Sequence, residues 1–181
     1  MERITENNLE YAVIIQNELF PSENGRANFE ESIKSDLDYS YYLLYEDGNC
    51  VGIIGLYNFG EDQDSAWLGW FGIRKEYRRR KLGSKALKAF EGMAIAKGYR
   101  FTRLYTDATD NDGPIAFYKA NGYIAETYEN PDDPASIKYK MLIFSKSLSS
   151  EELLPWNNRN IHLSEQIAKQ EKYNSQKVSN E

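Results

Sequence analysis

The chain has 181 residues, a net charge of −6 and ordinary apolar content, so one globular domain with a sizeable core is expected. Its single cysteine, Cys50, excludes an internal disulfide, and one histidine beside it is too few for a structural zinc site, so no metal is predicted. No apolar run is as long as a membrane span, and residues 1–10 lack the apolar segment of a secretion signal. These features predict a cytoplasmic protein with no membrane partner.

The charges are distributed very unevenly along the chain. Residues 1–73 hold 3 basic and 14 acidic residues, a net charge of −11, whereas residues 74–88 hold 8 basic and 1 acidic residue, a net charge of +7. Charge clusters of this kind raise the local concentration of ions of opposite sign. The basic block therefore favours a polyanionic ligand, while the acidic first part disfavours nucleic acid as a partner and favours a cation.

Apolar residues at helical spacing predict two helices near the start of the chain. The first follows Thr5 as N-cap and ends before Pro21, and the second covers about Asn28–Leu37. Three strands joined by short connections then predict an antiparallel meander, with a hairpin turn at residues 46–49. These strands are Tyr41–Tyr45, Val51–Phe59 and Trp67–Ile73.

The second half of the chain alternates between helices and strands. A helix is predicted over Leu82–Lys97, with Gly98 just past its end. The elements that follow are a strand at Phe101–Thr106, a helix at Ile115–Ala120 and strands at Tyr123–Tyr128 and Tyr139–Phe144. This order is typical of the α+β class, and the long helix predicts that the strands on either side of it are parallel.

Residues 147–181 are polar and differ in composition from the rest. Leu163 and Ile167 lie four residues apart, on one face of a short predicted helix. From about Lys172 the composition predicts disorder. We therefore expect one domain over residues 1–146 and a polar C-terminal extension over residues 147–181.

A cluster of cations, Arg74–Lys81, lies between the strand that ends at Ile73 and the helix that begins at Leu82. Exposed backbone amides and the helix dipole favour an anion at such a helix start, and arginine and lysine side chains add charge-assisted contacts. A solvated surface, a localisation signal or a nucleic-acid patch are the alternatives. The phosphate loop with Gly-Lys-Ser/Thr and the three-glycine dinucleotide fingerprint are both absent from this stretch.

The stretch Arg78-Arg79-Arg80-Lys81-Leu82-Gly83 resembles the acetyl-CoA loop of the GCN5-related N-acetyltransferases, Gln/Arg-x-x-Gly-x-Gly/Ala. It matches at Arg78 and Gly83 and has Lys81 where the first glycine is expected. A second segment, residues 111–123 (NDGPIAFYKANGY), resembles the family's Asn, Phe/Leu-Tyr and Gly-Phe/Tyr segment. Over roughly residues 1–146 the resemblance implies an α+β fold: a mixed, mostly antiparallel sheet with one splayed parallel strand pair, flanked by helices.

The resemblance also implies acetyl-CoA as co-substrate and a primary amine as acceptor. A backbone N–H near the end of the strand at Phe71–Ile73 is implied to polarise the thioester carbonyl. Gly72 marks either a bulge or close backbone approach, or only relief of crowding between its aromatic neighbours. The residues implied to bind the cofactor are Phe71, Gly72, Ile73, Arg78, Arg79, Arg80, Lys81, Leu82, Gly83, Ser84 and Asn111.

Tyr118 follows Phe117 in the matching segment and is the candidate general acid, since a phenol can protonate a leaving thiolate. The alternative is a tyrosine of the core. Asn111 has helix capping as its alternative role. Cys50 has no histidine near it in sequence, which argues against an acyl-cysteine route.

The general base stays open at this point. The candidates are Glu61, Asp62, Asp64, Asp107 and Asp110. The predicted reaction is direct attack by a primary amine of a small molecule or peptide, with a cationic acceptor favoured by the acidic field. Alternatives are a non-catalytic acetyl-CoA-binding module, a nucleic-acid binder that uses the basic block, and acidity that serves solubility alone. A homodimer is compatible with the sequence.

Overall fold

The computed structural model describes residues 1–35, 39–58, 62–156 and 162–164. The chain divides into two compact units. Of the described residues, the N-terminal unit contains those within Met1–Asn58 and Leu68–Phe90, and the C-terminal unit contains those within Phe59–Trp67 and Glu91–Ala168.

Two helices, α1 (Leu9–Leu19) and α2 (Gly25–Lys34), open the N-terminal unit. The prediction of Thr5 as N-cap was wrong, because Asn8 occupies that position. The Asn8 carboxamide accepts the Thr5 N–H at 2.8 Å, so these residues form a turn before the helix starts. The end predicted for the second helix, Leu37, lies outside the described residues.

Three strands of the N-terminal unit pair in the order β1-β2-β3, antiparallel throughout. They are β1 (Glu2–Arg3), β2 (Tyr39–Glu46) and β3 (Asn49–Tyr57). Asp47 and Gly48 join β2 to β3 with φ of 49° and 76°. Positive φ at both turn residues matches the right-handed twist of the strands, so the predicted hairpin is confirmed. The core beneath these strands includes Ile15, Phe29, Tyr41, Leu43 and Ile53.

The stretch predicted as one strand, Trp67–Ile73, is broken in two. Strand β4 covers Ser65–Leu68 and β5 covers Gly72–Ile73, with residues 69–71 between them. Strand β5 pairs antiparallel with β3, in the register Gly52↔Ile73. The prediction of a single continuous strand was therefore wrong.

Glycines allow this break. A Cβ on Gly52 would lie 2.1 Å from the carbonyl oxygen of Gly72, so only glycine lets the two backbones approach this closely. The Gly69 N–H donates to the Gly55 carbonyl at 2.8 Å. The backbone is therefore held at both ends of the break.

After β5 the chain makes a short 3₁₀ turn at Lys75–Tyr77 and enters α3 (Leu82–Ala96). The helix stops as predicted, because Gly98 has a φ of 87° and its N–H donates to the Ile95 carbonyl at 2.9 Å.

The strands of the C-terminal unit follow the order β4-β6-β8-β7. Strand β4 runs parallel to β6, whereas β6–β8 and β8–β7 are antiparallel. The elements that follow α3 are β6 (Phe101–Asp107), α4 (Asp112–Ala120), β7 (Ile124–Thr127), α5 (Pro134–Lys138) and β8 (Met141–Ser147). The α+β class and the mixed, mostly antiparallel sheet with one parallel strand pair and flanking helices are confirmed.

Helix α5 was not predicted. It starts at Pro134, and the Asp133 side chain accepts the Ala135 N–H at 3.0 Å as an N-cap. Asp-Pro is a helix-start signal, but this helix of five residues is too short to show an apolar periodicity.

A fully buried arginine organises the interior of the C-terminal unit. The Arg103 guanidinium lies 3.5 Å from the Asp62 carboxylate and donates to the hydroxyls of Ser65 at 3.1 Å and Ser145 at 2.5 Å. It also donates to the Leu154 carbonyl at 3.1 Å. The guanidinium lies 5.6 Å from the ring of Trp156, which is itself fully buried.

Residues beyond β8 pack onto this unit. The Trp156 N–H donates to both carboxylate oxygens of Glu126, at 2.8 and 3.0 Å. Leu163 is fully buried, and its N–H donates to Asp133 at 2.6 Å. Ile167 and the tail predicted from Lys172 lie outside the described residues. The boundary at residue 146 stays a prediction.

Helices of the described ranges are all too short or too polar to cross a membrane.

Candidate functional site

The loop that precedes α3 has an unusual backbone. Arg78 has a φ of −66°, but Arg79 and Lys81 have φ of 62° and 61°, in the left-handed region that favours glycine. The Arg78 side chain anchors the loop, because its Nε donates to the Ile73 carbonyl at 2.8 Å. Two left-handed residues after the extended Arg78 turn the chain sharply before the helix, and backbone N–H groups in such turns can surround an anion.

The amides at this position are available to such an anion. The first amides of a helix have no acceptor within the helix. The Lys85 N–H donates to the Lys81 carbonyl at 3.1 Å, and within the described ranges no backbone acceptor is found for the amides of residues 79–84. Leu82, Gly83 and Ser84 form the first turn of α3. The predicted phosphate-binding amides thus lie together at one helix start.

Lys81 stands where the resemblance expects glycine, and its positive φ explains that expectation. A left-handed residue with a side chain costs roughly 1–2 kcal/mol relative to its right-handed form, a cost that glycine avoids. This chain carries that strain at Lys81 and gains a cation at the same place.

The side chains of the basic block divide into two groups. Arg74 is held by Glu18 at 3.0 Å and by Glu76 at 3.1 Å, and Lys85 is held by Glu46 at 2.6 Å. In contrast, Arg79, Arg80 and Lys81 are exposed, and the described part of the chain gives them no ion pair. The outer cations are therefore paired within the chain, whereas the central ones are accessible to a ligand.

The segment Phe71–Ile73 is the one implied to polarise the thioester carbonyl. A Cβ on Gly72 would lie 3.2 Å from side-chain atoms of both Leu19 and Phe20, and the Gly72 carbonyl closely faces Gly52. The glycine thus relieves crowding against α1 and allows close backbone approach.

Asn111 and Tyr118 both lie on or beside α4, in the C-terminal unit. Asn111 occupies the N-cap position, but its side chain makes no capping bond. Its Nδ2 donates to the Asp107 carbonyl at 2.8 Å, which ties the start of α4 to the end of β6. Asn111 therefore has the capping position named as its alternative role, but without a capping hydrogen bond from its side chain.

The Tyr118 ring packs among aromatic side chains, 5.9 Å from the ring of Tyr123 and 5.4 Å from that of Phe144. Burial raises the pKa of Tyr118. A phenol is protonated at neutral pH even without this shift and can act as a donor, while the raised pKa makes it a weaker acid. Within the described ranges no hydrogen bond to the Tyr118 hydroxyl is found. The ring is part of the packing while its hydroxyl is free to donate.

The candidate bases differ in their surroundings. Asp62 is fully buried beside Arg103, so it is unsuited to accept a proton from an incoming amine. Asp64 forms an ion pair with Arg100 at 3.3 Å, and Asp107 accepts the Thr109 N–H at 2.7 Å. Asp110 is exposed, and Glu61 lies outside the described residues.

Cys50 is buried, and burial raises the pKa of its thiol. A thiol that stays protonated is a poor nucleophile, so the interior position agrees with the argument against an acyl-cysteine route.

Comparison with known proteins places these features in a family. The model of the acetyltransferase (GNAT) family matches residues 6–123. This match covers more than half of the chain, and the chain belongs to the GNAT family of acetyltransferases. It is therefore an acyl-CoA-dependent N-acetyltransferase, and coenzyme A carries the acyl group in this class. Among curated protein sequences no match was found.

Several solved structures share the fold. An aminoglycoside 6'-N-acetyltransferase complexed with coenzyme A is 14% identical, with a TM-score of 0.65 over 82% of this chain and 94% of that one. The ribosomal-protein-S18-alanine N-acetyltransferase of Escherichia coli is 18% identical, with a TM-score of 0.64 over 83% and 94%. The PaiA N-acetyltransferase of Thermoplasma acidophilum, in complex with coenzyme A, is 20% identical, with a TM-score of 0.58 over 78% and 93%.

Proposed function

We propose that this enzyme transfers an acetyl group from acetyl-CoA to a primary amine of a cationic acceptor, by direct attack of the amine. The observation that carries the proposal is the loop Arg78–Lys81, with its left-handed residues, exposed cations and available amides. These groups suit the phosphates of coenzyme A, which need both backbone N–H donors and positive charge.

Acetyl-CoA supplies a thioester whose acetyl carbon forms the new C–N bond as the C–S bond breaks. A backbone N–H of Phe71–Ile73 stabilises the negative charge on the carbonyl oxygen. Tyr118 gives its phenolic proton to the leaving thiolate, a role supported by its place after Phe117 in the segment that resembles the family's. The proton lost by the amine goes to a base or water that stays unassigned, with Asp62 excluded by burial.

Acidic charge in the first part of the chain favours a cationic acceptor. Residues 1–73 carry a net charge of −11. Asp62 and Asp64 are held by arginines, so the field that reaches a substrate comes from the other carboxylates of residues 1–73. The similar structures include an enzyme for aminoglycosides and one for an alanine of ribosomal protein S18, so both aminoglycoside-like compounds and peptide amines are suitable candidates.

A competition series at fixed acetyl-CoA tests this proposal. Neutral, anionic and dicationic amines of similar size are compared at low and high salt. We expect the dication to be preferred and the preference to weaken with salt, because exposed charges are screened. Equal or better use of the anionic amine would rule out a preference for cationic acceptors. The acidic residues would then serve solubility alone.

Tyr118→Phe tests the general acid. The substitution keeps the ring packing and removes the hydroxyl, so the rate should fall by roughly 10²–10⁴-fold, at the low end if the thiolate leaves unassisted. Affinity for coenzyme A should change little. Tyr123→Phe is the matched control, since it removes a hydroxyl that lies 3.0 Å from Thr102 and has no assigned role in the reaction. Wild-type turnover in Tyr118→Phe would show that Tyr118 is a residue of the core and not the general acid.

The rival reading is a module that binds acetyl-CoA without turnover. The unassigned base and the lysine at position 81 are the features in its favour. Acetylation of any member of an amine panel would rule it out. A homodimer and a cytoplasmic location stay predictions.

A further inference from the structure

Trp70 lies in the break between β4 and β5, directly before the segment Phe71–Ile73. Its side chain is only partly buried and packs against the core of the N-terminal unit. Consecutive Cα atoms are about 3.8 Å apart, so the indole begins one residue away from the backbone proposed to hold the thioester carbonyl. Contact with a bound ligand would explain why a tryptophan is left partly exposed at this point.

Three aromatic side chains fix the orientation of this indole. Phe20 stacks on it with ring centroids 6.2 Å apart and planes at 22°. Tyr41 lies 5.9 Å away at 39°, and Phe29 meets it edge-on at 6.2 Å and 86°. Since these residues come from different elements, the ring is held in place before any ligand arrives.

A buried glutamine supports the Phe20 side of this arrangement. Gln16 is fully buried, and its Nε2 donates to the carbonyls of Phe20 at 3.2 Å and Glu23 at 3.4 Å. Its Oε1 accepts the Gly25 N–H at 3.2 Å, and a Cβ on Gly25 would lie 2.4 Å from the glutamine side chain. The connection between α1 and α2 is therefore locked, and Phe20 with it.

We propose that Trp70 is a specificity-determining contact for the acceptor, which places a second cationic group against the exposed part of the indole. This inference rests on the proposed function, because it requires the reacting carbonyl to lie at Phe71–Ile73. An amine that attacks there brings its remaining groups past residue 70. Tryptophan is the side chain that best attracts an ammonium group, and because Phe20 stacks on one face of the indole, the contact is made by the part of the ring that stays exposed. Such a contact is partly desolvated and is screened less by salt than the acidic field.

The test compares 1,5-diaminopentane with 1-aminopentane, which differ by one ammonium group at equal length. The ratio of their kcat/KM values is measured at high salt for the wild type, Trp70→Leu and Trp70→Phe. We expect Trp70→Leu to lower the preference for the diamine by a factor of about 2–30, the range that a cation–π contact spans. Trp70→Phe should lower it less. The change should lie in the KM of the diamine, with coenzyme A affinity unchanged.

Tyr45→Leu is the matched control, because it removes another partly exposed aromatic side chain of the same unit. Its diamine preference should equal that of the wild type. Should Trp70→Leu fail to fold, Trp70→Phe retains a ring in the cluster and gives the same comparison.

The outcomes separate this inference from the proposed function. An unchanged diamine preference in folded Trp70 variants that still acetylate amines overturns the inference and leaves the proposed function intact. A wild-type protein that binds acetyl-CoA but acetylates no amine overturns both.

Discussion

The cations of the two units are held in opposite ways. In the C-terminal unit, Arg103 is fully buried and contacts a carboxylate, two hydroxyls and a backbone carbonyl. In the N-terminal unit, Arg79 and Lys81 are exposed, lie on left-handed backbone and have no ion pair within the described ranges. A buried charge must have partners in its own chain, whereas a charge that serves a ligand is left without them.

The cations of the basic block, residues 74–88, can be divided by whether they have a partner within the chain. Arg74 and Lys85 border the same loop but are paired with Glu18 and Glu46, so they belong with the structural cations. A substitution at the central positions should therefore affect binding, whereas one at an exposed paired position should change stability slightly.

Arg103→Met should have the largest effect. It leaves the Asp62 carboxylate buried without its cationic neighbour, which should lower the free energy of unfolding by about 3–5 kcal/mol. Urea unfolding followed by circular dichroism measures the loss. The double variant Arg103→Met/Asp62→Asn should recover part of it, because no unpaired charge remains.

Lys85→Met is the exposed control for Arg103→Met. The Lys85 side chain is 68% exposed in its pair with Glu46, so its loss should change the free energy of unfolding by no more than about 1 kcal/mol. Similar losses in the two variants would break the comparison between buried and exposed cations.

The triple variant Arg78→Ala/Arg80→Ala/Lys81→Ala should affect ligand binding much more than stability. Affinity for coenzyme A should fall roughly 30-fold or more, because several charge-assisted contacts are removed together. The remaining affinity should depend less on salt, while the free energy of unfolding should fall by only about 1 kcal/mol, because the hydrogen bond from Arg78 to the Ile73 carbonyl is lost. Isothermal titration calorimetry at two salt concentrations measures the first two effects. Unchanged affinity would contradict the phosphate-loop assignment.

Asp133 extends the comparison to a buried anion. Burial by itself would raise the pKa of Asp133, but hydrogen bonds from the Tyr128 hydroxyl and from the amides of Ala135 and Ser164 outweigh it and hold the pKa below its usual value. The folded-state pKa is thus below the unfolded one, so the stabilisation is present above about pH 4 and is lost as the pH falls through the folded-state pKa.

Acid unfolding of Asp133→Asn measures this contribution. The variant should be less stable at neutral pH and should show a weaker dependence on acid. Asp132→Asn is the control, since its side chain is exposed one residue away. The same acid profile in the wild type and in Asp133→Asn would contradict the expectation.

Lys81→Gly should have the smallest effect on stability. Glycine relieves the left-handed strain but increases the entropy of the unfolded chain, so a net gain of about 0.5–1 kcal/mol in the free energy of unfolding is expected. Lys81→Ala is the matched control, because it removes the charge and keeps the strain. Both variants should lose affinity for coenzyme A, and only Lys81→Gly should gain stability. Equal stability of the two would show that residue 81 is unstrained.

Local signals in the sequence predicted much of the fold. The turn at Asp47-Gly48, the stop of α3 at Gly98 and the α+β class are all confirmed. The break inside Trp67–Ile73 was missed, because an apolar aromatic stretch reads as a strand whichever partner it pairs with. The cause lies in Gly52 and Gly55, which are distant in sequence and let the backbone approach closely.

The candidate site, like the fold, could be predicted from the sequence only where local signals exist. The helix start and the cations of Arg78–Lys81 can be read from neighbouring residues. The left-handed φ of Lys81 could be suspected only from the glycine that the resemblance expects there. The burial of Asp62 could not be read at all, since its partner Arg103 is 41 residues away and both look like surface residues in sequence.

By itself, the sequence determined the family, the class of fold and the loop that suits an anion, because these depend on patterns within a few neighbouring residues. Only the tertiary structure decided which charges are buried, which cations remain for a ligand, and that Trp70 stands on a supported aromatic cluster beside Phe71–Ile73. Those outcomes depend on contacts such as Arg103 with Leu154 and Trp70 with Phe20, which join residues about 50 apart in the chain. Burial and ion pairing depend on which distant residues come into contact, and a local sequence pattern does not determine those contacts.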